Sequence, residues 1–162
     1  MIRLMMRRMV LLGVLPLFVA GIALSGRSEG AEQIAGPVAA EVVEVLDGDT
    51  IAVRAQVWLS LELTSHVRIR GIDTPELHSA CASEKAMAAE ARDRLADLAG
   101  PAIRLTNITQ DKYGGRVDAD VTGADGRDLK AAMLVTGLAR PYDGRGSRAD
   151  WCPVGSIAPQ PK

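Results

Sequence analysis

The sequence predicts a mainly β chain with helices, an α+β arrangement of five strands and two helices. Three observations predict it. Between residues 40 and 70, apolar and polar residues alternate in runs of strand length. Two later segments, "AIRLTNI" and "RVDADVT", alternate in the same way. Two further segments carry helical spacing, and each ends at a glycine. With 162 residues and 48% hydrophobic content, the chain amounts to one domain and can bury a core, which excludes a disordered or fibrous class.

Each element has its own justification. "AEVVEVLDGDTIAVRAQVWLSLEL" alternates around Asp47 and Gly48, a dipeptide that favours a tight hairpin turn. "SHVRIRGI" is a third strand, with Val67 and Ile69 on one face and Arg68 and Arg70 on the other. A helix follows within "SACASEKAMAAEARDRLADLAGP", where Met87, Ala91, Leu95 and Leu98 share a face and Gly100 and Pro101 supply the stop. "AIRLTNI" and "RVDADVT" are the fourth and fifth strands. Asp128 caps a second, short helix whose face is Leu129, Ala132, Met133 and Thr136, ended by Gly137. The residues after Tyr142 are rich in Gly, Pro and Ser and lack helical periodicity. Three strands, a helix, two strands and a helix fit a five-stranded Greek-key β-barrel of the OB type, with sequential antiparallel strands and two packed α-helices.

The N-terminus reads differently. Arg3, Arg7 and Arg8 precede the apolar run "MVLLGVLPLFVAGIAL", the pattern of an export signal over residues 1–25. The run is shorter than the roughly 20 apolar residues of a spanning helix and contains Pro16, so a cleaved signal is expected over a retained membrane anchor. Ala23 and Ser25 permit cleavage near residue 25, and Arg7 and Arg8 also permit twin-arginine export. Residues 26–38 read as a linker, 39–152 as the folded domain, and 153–162 as a flexible tail. The expected location is periplasmic or extracellular, without stable membrane association once the signal is removed. In an oxidising compartment the two cysteines, Cys81 and Cys152, most simply form one disulfide; two buried thiols are the alternative. A zinc site through His78 and Cys81 lacks a second ligand pair.

Charge narrows the partners. The formal net charge is −1, and residues 1–30 contribute Arg3, Arg7, Arg8 and Arg27 against Glu29, a net of +3, leaving −4 on the remainder. A mildly acidic domain has no long basic footprint for nucleic acid. An anionic ligand must be held locally, by a few placed cations or a metal.

Taken singly, the polar motifs are unremarkable: "LDGDT" is a turn, "IDTPE" a strand end leaving through Thr-Pro, and Arg68 and Arg116 solvated charges on strands. Their order is specific. "VVEVLDGDT", "VRIRGIDTPE", an Ala-rich helix, "DKYG" followed by Arg, and "GLA" closing the second helix together resemble the staphylococcal nuclease (thermonuclease) family from about Ala40 to Tyr142. The resemblance implies an OB-fold barrel and a calcium-dependent phosphodiesterase that cuts DNA and RNA, preferably single-stranded, to 3'-phosphate ends. It also implies Asp49 and Asp73 as calcium ligands with the Thr74 carbonyl beside them, and Glu76 as the acid that activates the attacking water. Arg68 and Arg116 correspond to the phosphate-binding arginines. Lys112, Tyr113 and Tyr142 correspond to substrate contacts.

The chemistry asks for these residue types. Calcium takes carboxylate and carbonyl oxygens in a flexible shell. Two guanidinium groups grip phosphate oxygens bidentately and stabilise the charge of a pentacoordinate transition state. A carboxylate within reach of the water supplies a base. Tyrosines at the rim stack splayed bases for about 1 to 3 kcal/mol each.

The sequence departs from the family in three places. Gly114 and Gly115 both separate Tyr113 from Arg116, where one glycine is usual. An insertion at Gly115, absorbed as a bulge with positive φ, keeps Ala119 and Val121 facing inward and Arg116 in its functional slot. Residues 55–65, including Trp58, extend a hairpin that is short in the family. The family's C-terminal helix is replaced by "DGRGSRADWCP", whose Cys152 can tie back to Cys81. The leading expectation is an exported, monomeric, calcium-dependent endonuclease. The alternatives are an OB-fold module that binds single strands with weak catalysis, and a membrane-tethered interaction domain.

Overall fold

The computed structural model describes residues 32–148 and 150–152. The expected export segment 1–25, residues 26–31 of the expected linker, and the expected tail 153–162 lie outside the described residues. The strands are β1 (Gln33–Ile34), β2 (Val38–Val45), β3 (Thr50–Trp58), β4 (Leu61–Ile69), β5 (Ile72–Asp73), β6 (Ala102–Gln110), β7 (Arg116–Gly123) and β8 (Arg140–Pro141). The helices are α1 (Ala82–Ala99) and α2 (Leu129–Thr136).

β2, β3 and β4 form an antiparallel meander, with Ala40 opposite Ala55 and Ile51 opposite Val67. β6 pairs antiparallel with both β2 and β7. The remaining pair, β4 with β7, is parallel and sets Val67 opposite Val117 and Arg68 opposite Asp118. The ring β2-β3-β4-β7-β6 thereby returns to β2 and closes a five-stranded mixed barrel with two helices, the OB-type fold expected from the element order. The sequential neighbours run antiparallel as expected, and the parallel pair that closes the ring joins the non-sequential β4 and β7. Strands joined by tight turns run antiparallel, whereas α1 and β6 intervene between β4 and β7 and bring the chain back in the same direction.

The alternation that identifies the strands also fills the barrel. Ile51, Val53, Val67, Ile69, Ile103, Leu105, Ala119 and Val121 are buried together with Leu95 of α1 and Leu129 and Met133 of α2. Each large aliphatic side chain so buried stabilises the fold by about 1.5–3 kcal/mol. Asp128 caps α2 as expected, accepting the Ala131 N–H at 3.2 Å, and Gly137 ends it in the left-handed conformation at φ 76°.

The buried face of α1 is wider than expected: Glu84, Ala88 and Ala99 join Ala91, Leu95 and Leu98, and Met87 is only partly buried. A Cβ on Gly48 would lie 2.7 Å from the Cβ of Ala91 and 2.9 Å from the Thr74 side chain, so the loop before β3 rests directly on the helix. Only small residues fit beneath it. Gly48 is required for this close approach, since its φ is not positive.

Other features carry no periodic signal. β1, inside the segment expected as linker, pairs with β6 through Gln33 opposite Thr109. β5 and β8 form a two-stranded sheet that brings Asp73 opposite Arg140. Residues 55–65 extend the hairpin as expected: β3 and β4 continue as a ribbon to Trp58 opposite Leu61, turning at Leu59 and Ser60. Trp58 there is exposed.

Candidate active site

The site forms where the loop before β3, the end of β4, β5 and the turn between β6 and β7 meet. Asp49 ends the first of these. Its N–H donates to the Asp47 carboxylate at 3.0 Å, and its carbonyl accepts the Ile69 N–H at 2.8 Å, which locks the loop to β4. Its side chain is buried, accepting from Thr50 Oγ1 and from Arg68 Nη2 at 2.9 Å each. Arg68 donates from the same nitrogen to the Ile72 carbonyl at 2.9 Å. Burial pushes the Asp49 carboxyl up to about 7, against the lowering influence of Arg68 and with a further upward push from Asp47.

Asp73, in β5, is 2% exposed. It accepts from the indole Nε1 of Trp151 at 3.0 Å and from Nε of Arg148. Thr74 then presents its carbonyl outward to Arg148 Nη2 at 3.1 Å, and Glu76 accepts from Arg148 Nη1. The Glu76 backbone is held from below by a buried residue of α1: its N–H donates to Glu84 Oε1 at 3.0 Å.

The turn of residues 112–115 supplies the opposite wall. Asp111 N–H donates to the Arg116 carbonyl at 3.1 Å, and Arg116 Nε donates to the Asp111 carboxylate. Tyr113 projects from this turn with Lys112 Nζ and Arg116 Cζ each 5.2 Å from its ring centroid. Gly115, at φ 81°, lies in the turn itself, which corrects the expectation of a strand bulge. Ala119 and Val121 are buried, as the register expected, while Arg116 and Asp118 line the cavity with Arg68.

Asp49, Arg68, Thr74, Glu76, Lys112, Tyr113, Arg116 and Tyr142 thus line one cavity of about 580 Å³. Asp73 lies just behind it, reached through Arg148. Tyr142 is fixed at the rim, its N–H on the Gly71 carbonyl and its hydroxyl donating to the Gly146 carbonyl at 3.1 Å. Cys81 and Cys152 are joined in a disulfide outside the cavity.

Sequence reasoning missed Arg148, Trp151, Asp111, Asp118 and Glu84. Asp118 lines the cavity with one buried carboxylate oxygen unpartnered; burial and nearby Asp111 raise its pKa against Arg68, Arg70 and Arg116. The signal for Arg148 and Trp151 lay in the cysteine spacing. Cys81 follows Glu76 by five residues, so a bond to Cys152 draws the residues just before it across the Asp73–Glu76 loop.

The model of the family described as staphylococcal nuclease homologue matches residues 66–150, more than half of the chain. The chain belongs to the staphylococcal nuclease homologue family. Among curated proteins, none is found to match it. Membership gives the barrel a nuclease-like character and a nucleic acid as its implied substrate. The matched span contains Arg68, Asp73, Thr74, Glu76, Lys112, Tyr113, Arg116 and Tyr142, and Asp49 lies ahead of it.

The donors suit a hard divalent cation. Asp49, Asp73 and the Thr74 carbonyl offer only oxygen, and guanidinium groups already stand against all three, showing that these atoms attract positive charge.

Proposed function

We propose that this protein is an exported, calcium-dependent endonuclease that hydrolyses phosphodiester bonds of DNA and RNA and leaves 3'-phosphate ends. The observation that carries the reading is the convergence of Asp49, Thr74, Glu76, Arg68 and Arg116 on one cavity, with Asp73 buried behind it. The disulfide supports an oxidising compartment and hence export.

Asp49, Asp73 and the Thr74 carbonyl would hold calcium, which supplies charge neutralisation at a phosphate oxygen. Arg116 and Arg68 grip the remaining phosphate oxygens, and their planar forks stabilise the charge that grows as water adds to phosphorus. Glu76 accepts the proton of that water, its backbone kept in place by Glu84; the bond from phosphorus to the 5' oxygen breaks, and that oxygen leaves with the electron pair and takes a proton from solvent. Tyr113, 59% exposed, offers its ring to a splayed base, which favours single-stranded substrate. Lys112 beside it and Tyr142 on the opposite rim accompany the strand.

A second reading has an observation of its own. Arg68 on Asp49 and Arg148 on Asp73 and Glu76 leave the acidic groups already neutralised, as a strand-binding module with weak catalysis would have them. Incubation with single-stranded DNA in calcium or in EDTA separates the two. The nuclease reading expects calcium-dependent cleavage, abolished in Asp49→Ala and Arg116→Ala and reduced at least about 100-fold in Glu76→Gln. Binding without cleavage at any calcium concentration would establish the module instead.

A further inference from the structure

Arg148 has no part in the mechanism above, yet its side chain makes three polar contacts to groups that do. Its Nε donates to Asp73, its Nη1 to Glu76 and its Nη2 to the Thr74 carbonyl. Those acceptors are the proposed base, one proposed carboxylate ligand and the proposed carbonyl ligand. One guanidinium therefore covers what a cation and an attacking water would need. Two positive charges cannot share these atoms without strong repulsion, and Glu76 cannot receive a proton while its oxygen is held by Arg148.

The segment bearing Arg148 is pinned at both ends. At one end β8 pairs with β5, and Tyr142 N–H donates to the Gly71 carbonyl at 3.0 Å. At the other, buried Trp151 bonds Asp73 and stacks under Arg140, whose Cζ is 3.7 Å from the ring centroid, and Cys152 is bonded to Cys81. Between the pins lie Gly144 and Gly146, at φ 83° and 71° with open space about each. The pins set the location of Arg148, and the glycines allow its loop to bend away. The Arg148 side chain is 40% exposed, so water can replace its contacts as it leaves.

We propose that Arg148 is a built-in competitor for the divalent cation, seated on Asp73, Thr74 and Glu76 by the disulfide-pinned segment, so that cation binding and Arg148 release are one exchange. The inference rests on the reading that these groups take a divalent cation. Burial works against the Arg148 charge, but Glu76 and Asp73 outweigh it and raise its pKa, so the side chain leaves by displacement and not by losing its proton. Apparent cation affinity then equals intrinsic affinity scaled by the fraction of molecules in which Arg148 is out. An occupancy of nine in ten by Arg148 weakens calcium binding about tenfold.

The test is calcium titration calorimetry on the disulfide-intact protein, comparing wild type with Arg148→Gln and Arg148→Lys. Arg148→Gln should bind calcium at least about tenfold more tightly, with Arg148→Lys between the two. Unchanged or weaker calcium binding in Arg148→Gln overturns the inference, as does unchanged calcium binding with lost affinity for a deoxythymidine oligonucleotide, which would make Arg148 a phosphate contact. No calcium binding by any of the proteins removes the calcium reading along with the inference; equal binding by all removes the inference alone. A second measurement needs no variant. In wild type, the Arg148 Nε–H resonance, sheltered by Asp73, should shift and become exchange-broadened on calcium saturation, and its persistence unchanged at saturation would overturn the exchange.

Discussion

Arg116 and Asp111 bracket a turn and hold each other twice: Asp111 N–H donates to the Arg116 carbonyl, and Arg116 Nε donates to the Asp111 carboxylate. The extra glycine in "DKYGGRV" sits inside that bracket. A four-residue turn can gain a residue without disturbing either strand, because the bracket and not the residue count sets where Arg116 begins β7. The arginine therefore reaches the cavity wall beside Arg68 despite the altered spacing.

The two glycines of this turn should behave differently. Gly115 has φ 81°, and Gly114 does not have positive φ, while no atom lies within 4 Å of a Cβ on either. Backbone conformation is thus the single distinction. Gly115→Ala should cost about 1–2 kcal/mol, the penalty of a left-handed L-residue, and Gly114→Ala should change stability by less than about 1 kcal/mol. Urea midpoints at unchanged slope measure both, and equal costs would refute the distinction.

Glu84 should matter beyond its place in α1. Its buried carboxylate accepts the Glu76 N–H and the Ser79 hydroxyl. Glu84→Leu orphans both donors and should destabilise by about 1–3 kcal/mol, with Glu84→Gln losing less because its carbonyl oxygen still accepts. If Glu76 is the base, kcat of folded Glu84→Leu should fall more than KM rises. An unchanged kcat would show that Glu76 keeps its position without this support.

Much of the candidate site was legible because its residues sit at fixed offsets inside the short motifs "DGDT", "DTPE" and "DKYG", which place them at the ends of strands or in the turns beside them. The barrel strands were legible by alternation and α2 by its Asp128 cap. What stayed hidden depends on contacts between distant segments. The parallel pairing of β4 with β7 leaves no mark in either strand. β1, β5 and β8 are two residues each, too short for periodicity. Gly48 lies against Ala91 of α1, a closeness that no helical wheel records. Arg148 is one charge in a Gly-rich tail, and the β5–β8 pairing, Trp151 and the Cys81–Cys152 bond together turn it toward Asp73 and Glu76.

The raised pKa of Asp49 has a definite sign in stability. Its folded value is about 7 against an ordinary 3.8, so between these limits the folded protein binds the extra proton. Stability should then fall as pH rises from about 4 to about 7 and level off above that, with burial of the charge as the cause. Other groups titrate in the same range, so the difference between wild type and Asp49→Asn isolates the effect: wild type should lose ground to the variant across this window. A difference that is flat with pH would show that Asp49 ionises at its ordinary value.

Trp151 and Cys152 anchor the same segment, and their contributions should therefore not add. The disulfide closes a separation of 71 residues, so reducing it should cost about 4 kcal/mol by the loss of chain constraint. Trp151→Phe keeps most of the buried ring but removes the 3.0 Å bond to Asp73, which should cost about 1.5–3 kcal/mol for a hydrogen bond to a carboxylate. Once the disulfide is open, the segment gains freedom to lift, and the indole spends less time on Asp73. Trp151→Phe should then cost less in reduced protein than in oxidised protein, a coupling that denaturant melts of the four species read directly. Equal costs in both redox states would mean that Trp151 holds Asp73 independently of the disulfide, and that the segment is pinned at two separate points instead of one.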